Sequence, residues 1–99
     1  MSEQVTIRDT ASAMQTAAAS TRTYTVVADV NVRSGPGTSY AKVGRLDAGS
    51  RVTLQCQTPG QTITGPLGTT RIWSRIGTGR YVSDAYIRTG SDGYVAPRC

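Results

Sequence analysis

The chain is predicted to fold as an all-β domain, a small barrel or sandwich of about five to seven short strands with one short helical turn near Ser83–Ile87. Three observations predict it. Short runs of alternating apolar residues recur at intervals of about ten residues. Clusters of Gly, Pro and Asp separate them. No stretch carries a helical period long enough to build an α/β unit, and no internal repeat is visible.

The first 22 residues stand outside this pattern. Thr10 to Thr21 is rich in Ala, Ser and Thr and poor in large apolar groups. Asp9 or Thr10 could cap a short helix there, but an isolated helix of about ten residues is marginal in water and this one has little to bury. Residues 1–22 therefore read as a flexible leader or linker, and residues 23–99 as the folded domain. Met1 to Thr6 has neither the basic nor the apolar region of a signal peptide, so either the chain stays inside the cell or a signal has been removed. No apolar run approaches the roughly 20 residues that span a bilayer.

From Tyr24 the pattern turns to strands. Tyr24 to Val27 and Val30 to Arg33 form a first strand pair, or one strand interrupted near Asp29. The segment Ser34-Gly35-Pro36-Gly37 must then turn. Pro36 fixes its own φ and pushes Gly35 out of the helical region, while Gly35 and Gly37 can take positive φ at little cost. Lys42 to Leu46 is the next strand, closed by Asp47-Ala48-Gly49. Arg51 to Cys56 alternates, which puts Val52, Leu54 and Cys56 on one face, the core face.

Gln57 to Thr70 reads as a long polar loop in which Thr62-Ile63-Thr64 can form a short strand. In Arg71 to Ile76, Ile72, Ser74 and Ile76 share one face, and Trp73 and Arg75 share the other. If the isoleucines face the core, Trp73 faces outward. Gly77-Thr78-Gly79 is a tight turn into Arg80-Tyr81-Val82. Ser83 to Ile87 is a single helical turn capped by Ser83 or Asp84, and Arg88 to Cys99 is a tail.

Composition narrows the chemistry. Ten arginines and one lysine against six carboxylates give a net charge of +5, without a block of basic residues. Such a charge favours anionic surfaces in general, and a plain solvated surface explains it as well as any partner does. The chain has no histidine and no phenylalanine. The commonest general base and metal ligand is thus missing. Asp29, Asp47, Asp84 and Asp92 stand singly near turns, and Asp84 reads as a cap rather than an acid. No glycine-rich loop precedes a helix. The expectation is a protein without catalytic residues, metal or cofactor.

Cys56 and Cys99 allow one connectivity. A bridge would close a loop of about 44 residues, worth about 4 kcal/mol in the chain-entropy account. Two free thiols in a cytosolic chain are the alternative. A cysteine at the terminus has no evident packing role, so the bridge is the expectation, and with it an oxidising setting.

Val30-Asn31-Val32-Arg33-Ser34-Gly35-Pro36-Gly37-Thr38-Ser39-Tyr40 resembles the opening signature of bacterial SH3-like domains of the SH3b type. Leu46 with Gly49-Ser50-Arg51-Val52 is similar to the next hairpin of that family. Trp73-Ser74-Arg75-Ile76 and Gly79-Arg80-Tyr81-Val82 resemble its central pair, with Tyr81 where tryptophan is more usual. Ser83-Asp84-Ala85-Tyr86-Ile87 resembles the helical turn before the last strand. The resemblance runs from about Thr23 to Arg88 and implies an SH3-like β-barrel. The long Gln57–Thr70 segment and the tail resemble a variety found in secreted proteins of high-GC Gram-positive bacteria.

The resemblance implies a non-enzymatic module, secreted or wall-associated and monomeric outside a complex, that binds cell-wall peptidoglycan or its cross-bridge peptides. Asn31, Tyr40, Trp73, Arg75 and Tyr86 are the candidate groove residues. Aromatic rings would offer platforms, and the amide and guanidinium polar contacts. Structural roles compete for each. Trp73 sits either in the groove or beneath the tail, Tyr86 in the fold itself, and Asn31 against the turn at Gly35. Arg33 is expected to fold back over the sheet. The alternative function is a protein–protein interaction module of a secreted or phage-derived assembly. Nucleic acid is disfavoured, because basic residues and aromatics are not interleaved in a cluster.

Overall fold

The computed structural model describes residues 22–99. The leader assigned to residues 1–22 lies, apart from Arg22, outside the described residues. Eight strands follow one another: β1 (Thr23–Val26), β2 (Val30–Arg33), β3 (Lys42–Leu46), β4 (Arg51–Thr53), β5 (Cys56–Gly65), β6 (Gly68–Gly77), β7 (Arg80–Ser83) and β8 (Ile87–Arg88), with a 3₁₀ turn at Asp84–Tyr86 before the last. The all-β class is as expected. Strands β4-β1-β8 form one sheet and β3-β2-β7-β6-β5 the other.

Val26, Val32, Val52, Leu54, Val82 and Ile87 form the buried cluster between the sheets, with Tyr24, Val30, Leu46 and Ile76 against it. These are short aliphatic side chains set by strand alternation, so a core without phenylalanine still closes. Tyr24–Val26 and Val30–Arg33 do not pair with each other. They belong to different sheets, and the chain crosses from one to the other at 27–29.

The expected polar loop between Gln57 and Thr70 is instead most of a long hairpin. β5 and β6 pair antiparallel from Cys56↔Arg75 to Gly65↔Gly68, with an irregularity between Pro59 and Ile63. Pro66 and Leu67 make the turn, and Gly68 supplies its positive φ of 118°. The segment reads as a loop because Gln, Thr, Pro and Gly dominate it. It forms strands because both ribbons are mostly exposed on one side and need few apolar residues.

The alternation through Cys56 breaks at the β4–β5 junction. Leu54 and Gln57 are both 0% exposed. Three positions apart, they cannot share a face in an unbroken strand. Gln57 takes the inward place expected for Cys56, which is half-buried.

The cap of the 3₁₀ turn is Ser83, whose hydroxyl accepts from the Ala85 N–H at 3.2 Å, while Asp84 goes into the interior. The turn at Gly35–Gly37 also differs from expectation. The glycines with positive φ are Gly49, Gly68, Gly79 and Gly90. At Gly35 the requirement is contact, because a Cβ there would lie 2.5 Å from the Tyr40 ring.

Cys56 and Cys99 are joined by a disulfide with Cα atoms 4.9 Å apart. It fixes the tail along β5. The Gln57 N–H donates to Pro97 O at 2.8 Å and the Cys99 N–H to Gln57 O at 2.9 Å. The Gln57 side chain ties the same place from within. Its Oε1 accepts from the N–H groups of Val95 and Ala96 at 2.7 and 3.1 Å. Its Nε2 donates to Ser74 Oγ at 3.0 Å and, more weakly, to Asp84 Oδ1 at 3.4 Å. Val95 and Ala96 then add their side chains to the core.

Candidate functional site

Trp73 lies on the face of β6 opposite the buried Ile72 and Ser74, as the alternation requires, yet it is only 2% exposed. What covers it is the irregularity in β5 together with the Ser34–Tyr40 turn. The indole Nε1–H donates to Gln61 O at 2.9 Å. The Gln61 N–H donates to Pro36 O at 3.1 Å. The Gln61 side-chain oxygen in turn accepts from the Thr38 N–H at 2.7 Å and from the Thr38 hydroxyl at 2.8 Å. The long hairpin is thereby clamped to the turn, with Trp73 as the floor between them.

On this floor opens a groove of about 340 Å³. Asn31, Arg33, Trp73 and Tyr86 line it, with Ile63 from the hairpin and Ser83 from β7. Asp29 and Arg45 stand on its wall as an ion pair, and Asp29 also accepts from the Ala48 N–H at 2.8 Å. That backbone hydrogen bond, followed by the one from Arg45, holds the Asp29 carboxyl below its ordinary pKa. Among the described residues the Asn31 side chain makes no hydrogen bond, so its amide is not spent on the Gly35 turn. No residue of the tail lines the groove. The tail lies along β5 instead, and Trp73, which lines the groove, is covered by the hairpin and the turn rather than by the tail.

Three of the expected groove residues, Asn31, Trp73 and Tyr86, therefore meet. Two do not. Tyr40 packs its ring over Gly35, is 47% exposed and stands outside the groove lining. Arg75 points along β6 to the Gly77–Gly79 turn, where Nε and Nη2 reach Gly77 O and Thr78 Oγ1, each at 3.4 Å. It is one strand repeat beyond Trp73, which same-face alternation alone could not reveal. Sequence reasoning missed Arg33, Thr38, Arg45 and Ile63. The alternation of Asn31 and Arg33 about the buried Val32 was the available signal for the first of them.

A second cleft of about 270 Å³ opens between the β5–β6 turn, the 3₁₀ turn and the start of the tail, and Asp84 and Asp92 line it. Asp84 is 7% exposed. Burial raises its pKa from 3.8 to about 6. Among the described residues the ion pairs are those of Arg45 with Asp29 and Asp47, so no cation relieves Asp84. A raised pKa means that the folded state holds the proton more tightly than the unfolded one. The folded state is thus favoured below the ordinary carboxylate pKa, and that advantage is lost as pH rises towards about 6. Asp84→Asn, which keeps an acceptor for Gln57, is expected to raise stability at pH 7 by about 1–3 kcal/mol. Melting temperatures measured from pH 3.5 to 7.5 should show the two proteins converging at the acid end. A constant gap across that range would exclude the ionisation as its cause.

Among the described residues no three His, Cys, Asp or Glu side chains come together as a metal site, and no helix is long and apolar enough to cross a membrane. The disulfide is consistent with an extracytoplasmic setting.

The family model described as bacterial SH3 domain matches residues 28–98, and so includes the tail as far as Arg98. Two proteins of Bacillus subtilis strain 168, both described as uncharacterized, are similar over much of their length. YraI is 44% identical over 80 residues, 73% of this chain and 67% of the relative. YraJ is 46% identical over 81 residues, 73% of this chain and 68% of the relative. With the match taking in strands β2 to β8, the groove and the tail as far as Arg98, the chain belongs to the bacterial SH3 domain family, whose members are typically binding modules.

Proposed function

We propose that this domain is a non-enzymatic module that binds cell-wall peptidoglycan or its cross-bridge peptides through the groove over Trp73, as a secreted or wall-associated protein. The observation that supports it most is the Asn31 amide, uncommitted among the described residues, beside Tyr86 and the Trp73 floor in a groove that the tail leaves open. An extended peptide or glycan chain presents alternating polar and apolar groups, and a groove with an aromatic floor and an amide wall suits both. Charge helps retention without supplying specificity, because anionic wall polymers attract a chain of +5.

Sedimentation with purified sacculi tests the reading. The wild-type chain should pellet at low salt, and Asn31→Ala combined with Tyr86→Ala should weaken retention by about ten-fold, as expected for losing central polar and aromatic contacts. An unbound wild-type chain with its barrel intact would sink the proposal. A second reading, binding to a protein by strand addition, is favoured by one observation. β3 is an outer strand of the five-stranded sheet and exposes Val43 at 43%. Charge substitution at Val43 would weaken that contact and leave wall binding unchanged.

A further inference from the structure

The charged side chains that line the groove, Asp29, Arg33 and Arg45, leave one positive charge over. Arg45 is neutralised by Asp29 and by Asp47 at 3.8 Å. Arg33 lines the same groove, half-buried, and no carboxylate among the described residues pairs with it. Its side-chain hydrogen bond, from Nη1 to Tyr40 O, is 3.4 Å long, near the limit at which such a bond still counts. A guanidinium carries five N–H donors in a planar fork, so among the described residues most of its donor capacity is unspent. Partial burial also strengthens its field compared with an arginine on open surface.

Position adds a second constraint. Asn31 and Arg33 are alternate residues of β2 on either side of the buried Val32, and both line the groove. Alternate residues of a strand lie about 6–7 Å apart. That spacing, about two residues of an extended chain, matches a terminal carboxylate and a peptide unit that precedes it by about two residues. An amide can pair with the peptide unit and a fork with the carboxylate, and planar bidentate recognition is what distinguishes arginine from lysine.

We propose that the groove selects peptides by a free carboxylate, which Arg33 holds through its fork while Asn31 pairs with a peptide unit that precedes it. The inference rests on the groove being the ligand site and adds the chemical class of the ligand. Neutral peptides such as oligoglycine segments without a free end would then be poor ligands.

The test uses the full chain labelled with ¹⁵N and a soluble wall pentapeptide in two forms, one with free carboxylates and one with every carboxylate amidated. The Trp73 Nε1–H and the Asn31 side-chain amide report on the groove. The acid form should bind at least about five-fold more tightly, as expected for charge-assisted hydrogen bonds in a partly buried site. Arg33→Gln should bring the two forms to equal affinity, and Arg33→Lys should keep only part of the preference, which also covers the case in which Arg33→Gln fails to fold. Arg75→Gln removes the same charge outside the groove and should leave the preference intact. Equal affinity of both forms for the wild-type chain, with the reporters moving, overturns the carboxylate proposal and leaves the groove reading standing. If neither form moves the reporters, both fall. A preference lost equally in Arg75→Gln would mark it as an effect of net charge and overturn the role of Arg33.

Discussion

Replacing Cys56 and Cys99 together by serine is expected to lower the melting temperature by roughly 15–25 °C, with stability falling by about 3–4 kcal/mol. The bridge spans a sequence separation of 43 residues. Removing it releases the entropy that so long a loop withholds from the unfolded chain. The folded state also suffers, because the disulfide holds the tail where Val95 and Ala96 meet the core and where their N–H groups meet Gln57. Without the tail, the Gln57 side-chain oxygen would be left in the interior with neither donor, at about 1–3 kcal/mol for a buried unpaired polar group. A domain of this size has roughly 5–8 kcal/mol in total, so the double variant should be close to its limit at physiological temperature. Calorimetry on the variant, and on the wild type with and without reductant, checks this. A shift below about 5 °C would show that the tail docks by itself and the bridge adds little.

The other large effect is expected at Gly60. A Cβ there would lie 2.2 Å from Pro36 O, 2.7 Å from Pro36 Cβ and 2.9 Å from Trp73 Cδ1. The first of these is a backbone atom of the turn that Gln61 clamps, so no side-chain rotation relieves it. Gly60→Ala must therefore push the hairpin off the turn, weakening the clamp from Gln61 to Thr38 and Pro36 and uncovering the indole. The expected cost is about 2–4 kcal/mol, in the range of overpacking against atoms that cannot yield. Gly93→Ala is the control, since its added methyl would meet only Ser91 Oγ, at 3.9 Å. Chemical denaturation followed by Trp73 fluorescence measures both. Near-wild-type stability of Gly60→Ala would mean that the hairpin and turn can separate freely.

Much of this architecture was legible in the residues. The alternation of Arg51 to Cys56 placed Val52 and Leu54 in the core, where they lie, and Cys56 beside them, where Gln57 lies instead, and the short strands placed the turns between them. What stayed hidden has physical reasons. The long hairpin contributes few apolar residues of its own, so its strand character depends on pairing with β6 rather than on local pattern. Gln57 is a buried amide whose partners sit at Ser74, Asp84 and in the tail, and no local signal predicts such a set. Trp73 was expected to face outward if Ile72 and Ile76 faced the core; it does lie on the face opposite Ile72, yet it is buried. Its burial depends on Gly60, Gln61 and Pro36 arriving from elsewhere in the chain. Of the residues expected at the groove, Trp73 and Tyr86 came from the resemblance to the SH3b family and Asn31 from its amide, and all three line it; Arg33 was legible only in its alternation with Asn31 about Val32.

The single amide of Gln57 also ties residues beyond the last strand to the barrel. The last strand stops at Arg88, and a boundary drawn from secondary structure would fall there. Yet one side chain accepts from Val95 and Ala96 while donating to β6 and to the 3₁₀ turn. Barrel and tail are therefore expected to open and close together. Cutting the chain after β8 is expected to unseat the β5 edge of the sheet rather than trim an appendage, so a transplanted barrel should need residues 89–99 with it.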